Sequence, residues 1–300
     1  MLEEAVAPET VEAADTQVDE AAGPEPVEPW ATGCRVVEDG HDTIALPEAS
    51  GAARLPDGRI LVVADSGNQG RALVLDPKGR AGAVGVTLPL GEGAGDDVEG
   101  LERAPDGRIW GITSAGWLRA WRVEPGPVPT FVLEVGPVPV APDGDWRCDA
   151  SRVNCGPNYE GLCLHPAPGP GACAGWAASK ARGALVCLVP SEAGFEVDAS
   201  RTVAVAPSEQ LSGCAFEPAA PHRLVVAGNV MSGSTLWEVE PGSGIVVAWT
   251  AIGAANQEAV IVLDGGDVVS LGDLQDLTPE SSPRVALRCP AAAARVESGR

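Results

Sequence analysis

Five short phrases in this chain put oxygen-bearing side chains at matching positions. They are Glu48-Ala49-Ser50-Gly51, Asp97-Val98-Glu99-Gly100, Asn158-Tyr159-Glu160-Gly161, Gln210-Leu211-Ser212-Gly213 and Asn256-Gln257-Glu258-Ala259. The first position always offers a side-chain oxygen acceptor, and the third is always Ser or Glu. Oxygens gathered at one point are the chemistry of a hard cation, since Ca²⁺ takes roughly six to eight of them from carboxylates, amides and water. Carboxylates crowded together also repel unless a cation or protons compensate. The candidate ligands are Asp97, Glu99, Asn158, Glu160, Asn256 and Glu258, and calcium or another divalent cation is the expected cofactor. Such an ion can polarise a lactone or phosphoester oxygen, and Glu99 or Glu160 beside it is then a candidate general base.

This chemistry requires the five phrases to converge, and their spacing says how. Counted on the third position, the copies fall at 50, 99, 160, 212 and 258, which is the period of a four-stranded propeller blade. Each phrase is followed by an apolar strand, a turn, and a second apolar strand. In the first two blades the turn is Pro56-Asp57-Gly58 and Pro105-Asp106-Gly107, where Pro presets φ, Asp bonds nearby backbone and Gly accepts positive φ. The expectation is an all-β, five-bladed β-propeller spanning residues 30–293. The fifth blade runs out of chain one strand short, and a strand from residues 34–37 or 43–46 would complete it and cover a sheet edge. A six-bladed arrangement, with a further blade assembled from residues 30–47 and part of the C-terminus, is the alternative.

First strands line the axis of a propeller, and residues two apart on a strand face the same way. Glu48, Asp97, Asn158, Gln210 and Asn256 are therefore expected in one ring, with Ser50, Glu99, Glu160, Ser212 and Glu258 in the next. Six residues from the start of each second strand stand Asp65, Ser114, Ser179, Asn229 and Asp273, all small and polar, at the same mouth. The competing structural reading is a wet channel whose Ser and Glu side chains bond backbone amides of the neighbouring blade and hold the ring together.

The 300 residues carry a net charge of −22, which argues against a nucleic acid or an anionic membrane as partner. Residues 1–29 hold nine acidic residues and no Lys or Arg, and read as a disordered acidic linker; residues 294–300 read as a tail. No apolar run reaches membrane length. No signal peptide is visible, yet Met1 followed at once by an acidic linker resembles a mature exported protein whose signal was trimmed, and a lipid anchor attached through that signal is compatible with this start. Eight cysteines without CxxC spacing favour disulfides and an extracellular, periplasmic or outer-surface location. Cys34 and Cys289 would sit on neighbouring strands and are expected to pair. Cys173 could pair with Cys163 or Cys187, and Cys148 with Cys155 could close a local loop.

Catalytic signatures are scarce. There is no Gly-x-Ser-x-Gly elbow and no His-Glu-x-x-His. His165 and His222 fall on the face opposite the proposed mouth, and His41 lies in the N-terminal loop. The Glu-Gly-Leu opening, the Asp-Gly-Arg turn and a second strand ending in Asp or Ser resemble the SdiA-regulated and esterase-like phytase propellers of bacteria, best in residues 97–101 and 158–162. More remotely the chain resembles the calcium-dependent gluconolactonase and paraoxonase propellers, with Glu and Asn ligands on the axis. Ser50 and Ser212 depart from that pattern by replacing Glu, and Ala259 by replacing Gly. The resemblance implies an exported propeller with calcium and fixes no substrate; the chain is further expected to be a monomer that binds a small molecule or a protein at its mouth. A calcium-dependent hydrolase of phosphoester or lactone bonds, or a cell-surface interaction module, are the rival readings.

Overall fold

The computed structural model describes residues 34–80, 83–93, 95–141, 147–205, 210–219, 222–230, 233–252, 256–272 and 281–289. The expected linker, the tail and Asp273 lie outside them.

The chain enters through strand β1 (Arg35–Ile44). Blade one comprises β2 (Ala49–Arg54), β3 (Ile60–Ala64), β4 (Arg71–Leu75) and β5 (Val84–Thr87). Blade two comprises β6 (Val98–Arg103), β7 (Ile109–Thr113), β8 (Trp117–Glu124) and β9 (Thr130–Pro139). Blade three holds β10 (Tyr159–Leu164), β11 (Gly175–Ser179), β12 (Ala184–Ser191) and β13 (Gly194–Ala204); blade four holds β14 (Gln210–Phe216), β15 (Leu224–Val230), β16 (Gly233–Val239) and β17 (Val246–Ile252). Blade five holds β18 (Gln257–Val262), β19 (Val268–Gly272) and β20 (Ser282–Arg288), with β1 as its outermost strand. The result is a five-bladed β-propeller, each blade a four-stranded antiparallel meander. The six-bladed alternative fails because β1 pairs directly with β20, from Arg35 opposite Arg288 to Ile44 opposite Ser282, so the N-terminal segment completes blade five and founds no blade of its own.

The turns form as their sequences dictate. Gly58 and Gly107 both adopt φ of 88°, and Asp57 and Asp106 each accept the backbone N–H two residues on at 3.0 Å. Apolar side chains then collect between blades. Five separate core clusters fill the five blade–blade interfaces, for example Leu61, Val63 and Trp121 between blades one and two, and Ile44, Leu46 and Leu271 between blades five and one.

Four disulfides reinforce this ring. Cys34–Cys289 joins the chain ends across the closing blade, and Cys148–Cys155 closes a loop between blades two and three. Cys173 pairs with Cys187 inside blade three. Cys163 pairs with Cys214, linking the innermost strands of blades three and four. No helix among the described residues is long and apolar enough to cross a membrane.

Candidate metal centre

The third residue of every phrase is displaced by the same backbone feature. In all five innermost strands the pairing register slips by one residue, between Ala49 and Gly51, Val98 and Gly100, Tyr159 and Gly161, Leu211 and Gly213, and Gln257 and Ala259. Ser50, Glu99, Glu160, Ser212 and Glu258 are thus the extra residues of five β-bulges, which bend a strand and re-aim a side chain. The regular alternation expected from strand geometry does not operate here. Position one is not part of an even strand either: Glu48, Asn158 and Asn256 have φ near +50°, the left-handed region that Asn tolerates best. Asp97 is buried, Glu48 and Asn158 are half-buried, and Gln210 and Asn256 are exposed, so the five do not form one ring.

Position four explains how tightly the hub closes. A Cβ on Gly51 would come within 3.0 Å of the Glu99 carbonyl and the Leu101 amide, and one on Gly161 within 3.0 Å of the Cys214 amide; Gly100 and Gly213 face the next blade's backbone still more closely. Glycine stands there in the first four blades because only a residue without Cβ admits this approach, while Ala259 takes the place in blade five. Around it remains a void of about 10 Å³ lined by Ser50, Glu99, Glu160 and Glu258, room for one water or ion.

The two residue types at the bulges act differently. Ser50 Oγ lies 2.7 Å from the Val98 carbonyl of blade two, and Ser212 Oγ 2.6 Å from the Gln257 carbonyl of blade five. These hydroxyls staple neighbouring blades, but by donating to carbonyls and not through the amides that the wet-channel reading expects. The glutamates gather charge. Asp65, Asp97 and Glu99 each present a carboxylate oxygen, and these oxygens lie within 4.8 Å of one another. Ser50 Oγ approaches Glu99 Oε2 at 3.0 Å, and Ser114 Oγ donates to Asp97 Oδ2. Glu160 is 3% exposed; its Oε2 pairs with Lys180 Nζ at 3.1 Å, while its Oε1 and the Oδ1 of Asn158 are buried without a hydrogen-bond partner.

The electrostatics follow from this crowding. Burial, then the charges of Glu160, Asp65, Asp97 and Glu258, push Glu99 well above the usual carboxylate range. Burial raises Asp65 to about 6 against the Ser66 amide, with Asp97 adding to the rise. Burial also raises Glu160, with Lys180 pulling the other way. Burial pulls the Lys180 ammonium down, but Glu160, Glu258 and Glu99 outweigh it and hold the group above its ordinary value.

Of the other expected residues, Ser179 donates to the Pro157 carbonyl and Asn229 accepts from Ser234 Oγ at 2.8 Å, so both serve local structure. Glu48 accepts from Asn68 Nδ2 at 3.1 Å at the rim. Two residues were not anticipated. Lys180 is one of only two lysines in the chain and directly follows Ser179, a rarity that could have drawn attention to it. Arg119 is 1% exposed and donates to the carbonyls of Leu90 at 2.7 Å and Gly95 at 2.6 Å, anchoring the loop that delivers Asp97.

No protein-family model matches this chain, and no curated protein matches it. Among solved structures, glutaminyl cyclase from Myxococcus xanthus is similar with a TM-score of 0.49 at 17% identity, over 86% of this chain and 96% of that one. The PQQ-bound aldose sugar dehydrogenase of Streptomyces coelicolor gives 0.48 at 16%, over 87% and 99%. Regucalcin from Agrobacterium tumefaciens, described as a calcium-binding protein, gives 0.45 at 9%, over 81% and 92%. Similarity at this level transfers neither activity nor ligand.

Proposed function

We propose that this chain is an exported β-propeller that binds a divalent cation, calcium by the oxygen-only donor set, at the mouth formed by Asp65, Asp97 and Glu99. Glu160, Glu258 and Asn158 complete the polar surround. The protein acts as a monomer, and the ion holds an oxygen-bearing small ligand at that mouth. The carrying observation is a mismatch of charge: Asp65, Asp97, Glu160 and Glu258 all act electrostatically on the buried Glu99, and among the described residues the ammonium that answers them is Lys180, paired with Glu160. Protons or a cation must make up the difference, and three carboxylate oxygens within 4.8 Å suit a hard cation. The unpartnered Glu160 Oε1 and Asn158 Oδ1 are donors of the same kind. Export rests on the four disulfides, which persist in oxidising compartments.

The test is calorimetric titration of the chelator-stripped protein with calcium, with magnesium alongside. Calcium is expected to bind with release of protons from Glu99 and Asp65 and to raise the melting temperature. Glu99→Gln and Asp65→Asn should each abolish the heat while the protein stays folded. Absence of heat and of any thermal shift in the parent protein would defeat the reading. A panel of lactones and phosphoesters, with and without calcium, then decides whether the ion also serves hydrolysis.

A further inference from the structure

The other end of the hub opens into a different space. A cavity of about 340 Å³ lies where the five innermost strands end, lined by residues of every blade, among them Arg54, Glu102, Arg103, Leu164, Phe216 and Ile261. Its size is that of a small-molecule pocket, and its lining combines apolar side chains with a few polar groups. Leu164, Phe216 and Ile261 are all buried. The polar groups are two guanidiniums and one carboxyl, in a protein whose net charge is −22.

The two guanidiniums are not equivalent. Arg54 is engaged in a bidentate pair with Asp264, at 2.6 and 2.7 Å. Arg103 meets no carboxylate at ion-pair distance among the described residues; its guanidinium reaches only the Leu55 carbonyl, at 3.5 Å. Arg103 acts on Asp264 only through space, since Arg54 holds that carboxylate, and a guanidinium without its own ion pair is a point of recognition for an anion, because it binds a carboxylate through paired N–H groups. Glu102 Oε1 accepts the Arg103 backbone N–H at 2.8 Å. Burial raises Glu102 to about 8 against the pull of Arg103 and Arg54, so near neutral pH its carboxyl keeps a proton to donate. The charged groups facing it are Arg103 on its own strand and Arg54 on β2 with its partner Asp264. Behind Phe216 stand His165, 4.8 Å away by ring centroids, and His222, 5.3 Å beyond.

We propose that this cavity binds a small organic acid with one carboxylate on an apolar body, Arg103 pairing with the carboxylate and Glu102 donating a hydrogen bond to it. The apolar body lies against Leu164, Phe216 and Ile261. The site is separate from the acidic mouth and does not depend on a cation there.

Octanoate and benzoate are the probes, with octylamine and octanol as controls, titrated into the full chain at pH 7 by calorimetry and by ligand-observed NMR. Each titration is run with saturating calcium and after chelation. Octanoate is expected to bind equally in both states, octanol at least tenfold more weakly, and octylamine not at all. Arg103→Met should weaken octanoate at least tenfold without moving the melting temperature. Raising the pH from 7 to 9 should weaken octanoate, and Glu102→Gln, which keeps a donor, should bind octanoate and lose that pH response. Failure of both acids to bind at millimolar concentration, octylamine binding as well as octanoate, or an unchanged affinity in Arg103→Met would each overturn the proposal. If Arg103→Met does not fold, Glu102→Gln decides it: a pH response that survives in this variant overturns the proposal. A negative calcium titration leaves the prediction intact, so the two readings fail separately.

Discussion

Glu99 and Glu102 lie three residues apart on β6, and burial raises the pKa of both, yet they serve opposite ends of the hub. Around Glu99 the neighbours are acids, Glu160, Asp65, Asp97 and Glu258. Around Glu102 they are cations, Arg103 and Arg54. The same residue type on the same strand therefore faces two problems. At the acidic mouth the unmet need is positive charge, which the proposed cation would supply. At the opposite mouth a free guanidinium remains, and the unmet need is an anion. The backbone separates them: the bulge and the glycine approach occupy the start of each inner strand, while regular pairing resumes toward its end.

The largest expected effect concerns what holds both mouths in register. Cys34 and Cys289 are 255 residues apart, and the loop-entropy account of such a bridge gives about 5 kcal/mol. Replacing both by Ala should lower the melting temperature by roughly 10–20 °C and reduce calcium and octanoate binding together. A fall of only a degree or two would show that pairing of β1 with β20 closes the ring unaided.

Next in size is the pH response, which separates the mouths. A carboxyl whose folded pKa is raised contributes stability that is fully present below its unfolded value and is lost as pH rises through the folded value. Asp65, at about 6 against 3.8, loses its contribution between roughly pH 4 and 6; Glu102, at about 8 against 4.5, continues the loss to roughly pH 8. Metal-free protein should therefore melt progressively lower from pH 5 to 8.5. Calcium should cancel the acidic-mouth part, because it binds the ionised carboxylates. The part left with calcium present should vanish in Glu102→Gln. A calcium-insensitive curve would place the titration elsewhere than at Asp65 and Glu99.

A smaller effect is expected from Lys180, the ammonium paired with Glu160 at the acidic mouth. Lys180→Met removes a partly screened unit charge that competes with the metal, and should tighten calcium binding roughly tenfold while leaving octanoate binding as it was. Weaker calcium binding in this variant would show that Lys180 orients Glu160 rather than opposing the ion.

The blades, the turns and the strand that closes blade five were legible because each depends on local residues repeated at a fixed period. The bulged third position was legible as a repeat of Ser or Glu, but its cause was not, since a bulge is set by pairing across strands. For the same reason position one does not form the expected ring: Glu48, Asn158 and Asn256 turn the chain in the left-handed region, and of the five Asp97 alone is buried. The Cys163–Cys214 bridge escaped because it joins two blades, where no hairpin register fixes the partner; Lys180 escaped although it meets Glu160 across the β10–β11 hairpin of its own blade. The cavity at the opposite mouth was invisible in the sequence. Its walls come from five strand ends with no common residue type, from Arg54 and Arg103 to Leu164, Phe216 and Ile261.

The smallest effect tests whether Ser and Glu at equivalent bulges do separate work. Ser212→Ala removes the hydroxyl on the buried Gln257 carbonyl, and Ser50→Ala removes that on the Val98 carbonyl. Each deletes one hydrogen bond between blades and should cost about 1 kcal/mol, read as a lower denaturant midpoint at unchanged slope. The two should then diverge. Ser50 Oγ also stands 3.0 Å from Glu99 Oε2, so Ser50→Ala alters the polar surround of Glu99 and should shift calcium affinity severalfold. The only contact described for the Ser212 hydroxyl is the blade-five carbonyl, so its loss should leave that affinity within twofold. Equal changes in affinity would mean that the serines hold the carboxylates in place through the ring as a whole, and that stapling and cation binding are a single property of the hub.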